Sequence, residues 1–165
     1  MDKLTAAVEA TLESLYCQWR ATIEETDFAW LTTVVNEDGA HSSAREQIVS
    51  SARVVEQAFG GITANLWDDP RDWTLPEVLQ TSQQMLEYFD EVEATRRRGM
   101  ALIRSDADLY KMIVTPSGEM QLLELMVGTC SSAIDHYFRA KKILALVIHQ
   151  DTRSKLTADV KDRMN

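Results

Sequence analysis

Apolar side chains recur every three or four residues along four stretches of this chain, which is the spacing of amphipathic helices. The first stretch predicts a helix that begins behind Asp2 as its N-cap and ends near Glu25. The last and longest stretch, residues 119–150, alternates steps of four and three, as helices packed at a shallow angle do. Its inner positions are Leu122, Met126, Thr129, Ala133, His136, Ala140, Ile143 and Val147.

The two middle helices carry their own start signals. Ser43 and Glu46 match a capping box, in which the Ser hydroxyl accepts from an orphan amide and the Glu side chain reaches back. The helix that they open is predicted to end near Gly61. A third helix is predicted over residues 74–104, because Pro76 is tolerated in a first turn, where its missing amide hydrogen costs nothing.

The segments between the helices lose the helical period. Residues 26–40 contain a turn signature at 36–39, and residues 63–73 are predicted to form a loop. Residues 105–118 predict a connection with room for a short turn or strand. Residues 151–165 predict a polar tail with one helical turn.

The predicted fold is therefore all-α, with one four-helix bundle domain over residues 1–150. The chain has 165 residues, which is the usual size of a single domain. A domain of this size buries roughly 70% of the surface that its unfolded chain exposes. One core is thus sufficient without metals or disulfides.

The charge balance argues against nucleic acid as a partner. Lys and Arg number 17 and Asp and Glu number 26, a formal net charge of −9, whereas binding to phosphates needs clustered Lys and Arg. The one basic run, residues 96–98, is interpreted as a solvated helix end, since cations are favoured near helix C-termini.

Cysteine usage and hydropathy indicate a cytoplasmic protein that does not enter a membrane. Cys17 and Cys130 form neither a CxxC pair nor a disulfide framework. The N-terminus opens an amphipathic helix rather than the apolar run of a signal peptide. The longest apolar run, Ile143 to Ile148, is much too short to span a bilayer.

His136 is the main candidate for chemistry, because it falls on the inner seam of the last helix among small residues. Two interpretations stay open. In the first, His136 is a buried neutral imidazole that hydrogen-bonds across the core. In the second, it is a metal ligand or a general base. Ser132 lies one turn earlier on the same side of the helix, within reach of the imidazole.

Other patterns for chemistry are weak. The helical rise of about 1.5 Å per residue holds His149 about 20 Å from His136, so the two cannot share one ion. Cys130 is interpreted as a small hydrophobe. The sequence has no nucleophile elbow around Ser117, no phosphate-binding loop and no Glu-x-x-His pair.

Four features stand in a fixed order along the chain. They are Asp27 to Trp30 after the first helix, Ser43 to Glu46 opening the second, Thr115 to Glu119 leading into Leu122 to Met126, and the region around His136. Together they resemble the DinB/YfiT-like superfamily of bacterial four-helix proteins, over residues 5–148. The resemblance implies an up-down-down-up helix order, frequent homodimers and a divalent metal bound by three histidines. Some members are thiol-dependent S-transferases or isomerases.

Two of the three histidines that the resemblance implies are serines in this chain. Counting from Glu46 places the ligand of the second helix at Ser50, whereas the inner helical face favours Ser51. The pair on the last helix falls on Ser132 and His136. A neutral hydroxyl is a poor replacement for imidazole toward Zn²⁺ or Ni²⁺. We therefore expect no cofactor, with weak Zn or Ni binding as the alternative.

Serine in place of histidine is also expected to enlarge the central cavity. Two outcomes stay open: the space holds water or a small polar ligand, or it is filled by Tyr137, Phe59 or a Met. We expect it to be lined by Ser51, Thr129, Ala133 and Ala140, beside His136.

Three functions compete. The favoured one is a DinB-like protein with a depleted metal site that acts as a small-ligand-binding or structural dimeric protein. The alternative is a metal-dependent hydrolase or thiol S-transferase that uses His136, with a metal completed by Asp135, Glu124 or a partner chain. The third is a dimerising interaction module. Its second apolar stripe would be Leu123, Cys130, Ile134, Tyr137, Leu144 and Ile148.

Overall fold

Helices dominate the chain, in agreement with the predicted all-α class. The computed structural model describes residues 2–37, 40–68 and 79–163. Its helices are α1 (Lys3–Glu25), α2 (Phe28–Thr32), α3 (Ala44–Ala64), α4 (Ser82–Met100), α5 (Asp106–Leu109) and α6 (Leu122–Arg163). Within this part of the chain, no helix combines the length and the hydropathy that a membrane crossing requires.

Two short antiparallel hairpins interrupt the helices. Strand β1 (Val34–Glu37) pairs with β2 (Ala40–Ser43), and β3 (Met112–Thr115) pairs with β4 (Gly118–Gln121). Both hairpins lie where the sequence loses its helical period, and the second one fills the connection predicted to have room for a strand. The predicted turn at residues 36–39 lies partly outside the described residues.

Helix α1 begins and ends where the sequence predicts, but its first amides are capped from a distant segment. The Asp106 carboxylate accepts hydrogen bonds from the backbone N–H groups of Leu4 and Thr5 at 3.2 and 2.9 Å. Asp2 holds the predicted N-cap position without a side-chain bond inside α1. It accepts instead from the Asp106 backbone N–H at 3.0 Å. This exchange ties the start of α1 to the start of α5.

The predicted capping box of α3 is confirmed. The Ser43 hydroxyl accepts from the Glu46 backbone N–H at 3.3 Å, and the Glu46 carboxylate accepts from the Ser43 backbone N–H at 2.8 Å. At the other end, Asn65 adopts the left-handed conformation with φ 54° and caps α3. Because Gly61 still lies inside the helix, α3 runs slightly further than predicted.

Helix α4 is shorter than predicted. Its predicted start at residue 74, with Pro76 in the first turn, lies outside the described residues, but residues 79–81 are not helical. The helix begins at Ser82, where the Thr81 hydroxyl accepts from the Gln84 backbone N–H at 3.2 Å. The local N-cap at Thr81 therefore sets the start of the helix. The predicted end at residue 104 is also wrong, because α4 stops at Met100.

The predicted limits of the last helix are both wrong. Residues 118–121 form β4, whose pairing with β3 delays the helix to Leu122. The helix then continues to Arg163, through the predicted polar tail. Residues 151–163 contain neither Gly nor Pro, so no residue there breaks the helix. Hydrophobic periodicity cannot detect a helix whose residues are almost all polar.

One apolar core lies among the four long helices. Helix α3 packs against α4 and α6, and α1 packs against the same two helices. The ring of Phe59 lies where a side chain at position 99 would begin, so Gly99 permits α3 and α4 to approach closely. The largest fully buried side chains include Trp19, Phe59, Phe89, Leu12, Ile23, Met85 and Met126.

The interpretation of residues 96–98 as a solvated helix end is wrong for Arg96. Arg97 and Arg98 are exposed, but the Arg96 side chain is only 3% exposed. Its guanidinium donates to both carboxylate oxygens of Glu93, at 2.6 and 2.8 Å. A buried carboxylate one turn earlier therefore retains Arg96 in the core, because a buried charge needs a partner.

Candidate functional site

The α3–α6 contact brings His136 against a residue that the sequence analysis did not select. His136 is half-buried, and its Nδ1 lies 2.8 Å from the Gln47 side-chain oxygen. The capping box at the start of α3 fixes the phase of the helix and so places Gln47 in its first turns, opposite α6. His136 is thus hydrogen-bonded across an interhelical contact, but it is half-buried rather than buried as the first of its two interpretations expects.

A chain of hydrogen bonds orients this imidazole. The Gln47 amide nitrogen donates to the Ser42 hydroxyl at 2.9 Å, and that hydroxyl donates to Glu46 at 3.3 Å. The Gln47 oxygen is then the acceptor toward His136, so Nδ1 is the donor in this contact. Ser42 and Gln47 thus link the imidazole to the capping-box residue Glu46.

Ser51 is the inward-facing member of the two alternative serines on α3. It is fully buried, and its hydroxyl donates to the Ala133 carbonyl oxygen at 2.6 Å. The same hydroxyl accepts from the Trp19 indole N–H at 3.0 Å. This serine therefore joins α1, α3 and α6 as a structural polar contact, and its one hydrogen is already committed.

The other two serine positions lie nearer the surface than Ser51. Ser50 is half-buried, and Ser132, which the sequence places within reach of His136, is exposed. Among the described residues there is no group of three or more His, Cys, Asp and Glu side chains that could hold a metal ion. The donor set at this place consists of one imidazole, one side-chain amide and serine hydroxyls that are hydrogen-bonded or exposed. Such donors fit Zn²⁺ or Ni²⁺ poorly.

The residues proposed to complete a metal have other surroundings. Asp135 forms an ion pair with Arg139 at 2.7 Å on the exposed side of α6. Glu124 lies three turns before His136 and lines a separate cavity. Burial raises the pKa of the Cys130 thiol, which favours the unreactive protonated form.

That cavity lies further along the same contact between α3 and α6. Its volume is about 400 Å³, and it is open to solvent. Thr129, one of the predicted cavity residues, contributes to its wall. Ser51, Ala133 and Ala140, the other predicted cavity residues, are fully buried in the core. We call the space near Thr129 the α3–α6 cavity.

Sequence reasoning missed Gln47, Trp67 and Gly128 as site residues. Gln47 precedes Ser51 by one helical turn and so shares its helical face, but that periodicity does not show that Gln47 meets His136. Gly128 carries a further signal, because glycine is unfavourable within a helix. Trp67 follows α3 in a segment without periodicity, and nothing in the sequence places it beside residues 124–129.

Comparison of the chain with protein-family models, with curated proteins and with solved structures gave no match.

Proposed function

We propose that this chain is a small-ligand-binding protein on a DinB-like four-helix scaffold whose metal site is depleted. The contact between His136 and Gln47 carries the proposal. An uncharged amide engages the imidazole at the place where the family resemblance implies a cluster of histidines. An amide oxygen binds transition metals weakly but orients a polar ligand well.

Contacts along the helices support an up-down-down-up order. Tyr16 donates to Asp90 at 2.7 Å, while Thr5, earlier in α1, bonds to Asp106, beyond the end of α4. Later residues of α1 thus contact earlier residues of the α4 segment, as expected when the two helices are antiparallel.

The contacts of α3 with α4 and with α6 support the rest of this order. Arg45, early in α3, donates to the Leu79 carbonyl oxygen just before α4, and Glu56, later in α3, accepts from Tyr88 in α4. Residue numbers increase in the same direction along both helices, so α3 is parallel to α4. Gln47 contacts His136, and Ser51 contacts Ala133, so α3 is antiparallel to α6.

Restoring the missing imidazoles tests the scaffold and the depletion together. We expect Ser50→His/Ser132→His to bind about one Zn²⁺ per chain in a calorimetric titration, because neutral imidazole is the commonest metal ligand. The unmodified chain is expected to show no stoichiometric binding. Adding His136→Ala to the double variant should remove the gained binding. Stoichiometric zinc in the unmodified chain, lost with His136→Ala, would contradict the proposal.

The oriented imidazole favours a second candidate function, a hydrolase or thiol S-transferase. With hydrogen on Nδ1, the Nε2 lone pair of His136 is suited to general-base chemistry. This candidate predicts turnover of activated esters or thiol conjugation that His136→Ala abolishes and that Gln47→Leu reduces. The ligand-binding proposal predicts that neither substitution changes turnover above the uncatalysed rate.

We also propose that the protein forms a homodimer through α1 and α6. Phe138 is 66% exposed. It borders a groove of about 410 Å³ between the two helices, which also includes Leu15 and Ile134. Of the second stripe, Tyr137 and Leu144 are buried within the chain, so Phe138 is the stronger candidate contact. Light scattering should give a dimer mass that falls to a monomer mass for Phe138→Ser; a monomer before substitution would contradict this.

A further inference from the structure

The α3–α6 cavity has a wall that is held in place before any ligand binds. The carbonyl oxygen of Trp67 accepts from the Gln57 side chain at 2.8 Å, and its indole N–H donates to Asn65 at 3.0 Å. Its ring lies so close to Gly61 that an added Cβ there would overlap it. One contact therefore holds the Trp67 backbone and two hold its indole, and a preorganised wall reduces the entropy lost on binding.

Gly128 keeps the cavity open from the α6 side. It lies inside α6 with helical backbone, and an added Cβ would meet no atom within 4 Å. Neither packing nor backbone conformation requires glycine at this position. Glycine also weakens a helix relative to alanine. Local rules of this kind are broken most often at functional or strained sites, and the missing side chain of Gly128 leaves space at the wall of the cavity.

The chemistry of the wall is apolar with one negative charge. Val54, Ala58 and Leu125 supply aliphatic surface, and Glu124 supplies the only charged side chain among the described lining residues. Glu124 is exposed, and no hydrogen bond or ion pair joins it to another described residue. The net charge of −9 makes the surroundings attractive to cations.

We propose that the α3–α6 cavity binds a small organic cation, an ammonium or quaternary ammonium group on an apolar body. The Trp67 ring supplies a cation–π surface, Glu124 neutralises the charge, and the aliphatic wall covers the apolar part. The volume of about 400 Å³ is within the range of small-molecule sites. This inference rests on the proposed small-ligand function and names its class of ligand.

Choline and its uncharged isostere 3,3-dimethylbutan-1-ol test the charge requirement directly. The chain has four Trp residues, so the indole N–H signal of Trp67 can be assigned by loss in Trp67→Phe. It then reports binding in a nitrogen–proton correlation spectrum of the full chain. We expect choline to shift this signal with a Kd about tenfold lower than that of the isostere. Glu124→Gln should remove most of that preference.

Two leucine substitutions on α6 separate binding from folding. Gly128→Leu should abolish both titrations, because the side chain fills the cavity, while the melting temperature does not fall. Ser131→Leu adds the same side chain to α6 at an exposed position outside the cavity. It should leave choline binding unchanged.

The outcomes distinguish failure of this inference from failure of the proposed function. Equal affinity for choline and the isostere would overturn the cation class and leave the small-ligand function standing. No shift with either probe would overturn the cavity assignment. No shift with either probe, together with stoichiometric zinc binding by the unmodified chain, would overturn both the cavity assignment and the proposed small-ligand function.

Discussion

Replacing Arg96 by methionine removes the partner of a buried carboxylate while keeping the length and apolar stem of the side chain. The Arg96 and Glu93 side chains are 3% and 6% exposed. Glu93 also accepts from Arg97 at 2.6 Å, but that side chain is 64% exposed. The substitution therefore leaves Glu93 buried with one solvent-facing partner.

The expected loss follows from the cost of a buried charge without its partner. Removing one member of a buried pair costs about 3–5 kcal/mol. Because Arg97 still contacts Glu93, we expect the lower end, about 3 kcal/mol. For a chain of this length each kcal/mol lowers the melting temperature by about 2–4 °C. Arg96→Met should thus melt roughly 6–12 °C below the unmodified chain.

The double variant Glu93→Leu/Arg96→Met removes both charges and should recover most of the loss. Well-packed apolar replacements of buried pairs are often neutral or stabilising. The Arg96 Nη1 atom is buried and has no hydrogen-bond partner among the described residues. Both Arg96→Met and the double variant remove that unsatisfied donor, whose burial costs about 1–3 kcal/mol, so the difference between these two variants reports the unpaired Glu93 carboxylate.

The effect of Arg96→Met should depend on pH. Burial acts to raise the pKa of Glu93, but hydrogen bonds from Arg96 and Arg97 outweigh it and lower that pKa. A carboxylate with a lowered pKa stabilises the fold above its unfolded pKa, and this stabilisation is lost as pH falls through the folded value. The difference between the unmodified chain and Arg96→Met should therefore be largest near neutral pH and shrink in acid.

Urea unfolding of five chains measures these energies: the unmodified chain, Arg96→Met, Glu93→Leu, the double variant, and Arg97→Met as the exposed control. The control should change stability much less than Arg96→Met, because the Arg97 side chain is 64% exposed and solvent screens its charge. A loss for Arg96→Met no greater than that of the control would refute the reasoning. Additive losses in the double variant would refute it too, because they would show no coupling between the two side chains.

Two further predictions concern the buried polar contact and the thiols. Ser51→Ala leaves the Trp19 indole N–H buried without its acceptor and should lower the free energy of unfolding in urea by about 1–3 kcal/mol. The control Ser132→Ala changes an exposed serine and should alter this free energy by less than about 0.5 kcal/mol. Equal effects of the two substitutions would contradict the contact between Ser51 and Trp19. Cys17 is exposed and Cys130 half-buried with a raised pKa, so mass spectrometry should show alkylation of Cys17 first, and faster modification of Cys130 would contradict its burial.

Strong local signals predicted the helices well. The stripe of α1 and the capping box at Ser43 and Glu46 gave correct boundaries, because both depend on neighbouring residues. The hairpins have four-residue strands, which are too short to show a clear period of two. The cap of α1 by Asp106 is a long-range contact, which no local pattern contains.

The candidate site was predictable only in part. His136 stood out because a polar side chain fell on an apolar seam. Its partner Gln47 depends on how α3 and α6 face each other, which periodicity does not determine. Burial of Arg96 likewise depends on a carboxylate one turn away and on the packing around both.

Native mass spectrometry of the full, untagged chain after equilibration with Zn²⁺ and desalting tests the central claim most directly. One spectrum reports bound metal, bound organic ligand and oligomeric state. A depleted site with His136 held by Gln47 predicts that the chain retains no zinc. The proposed contact through α1 and α6 predicts the mass of a dimer. One retained zinc per chain would contradict the depleted site and support a metalloenzyme built around His136.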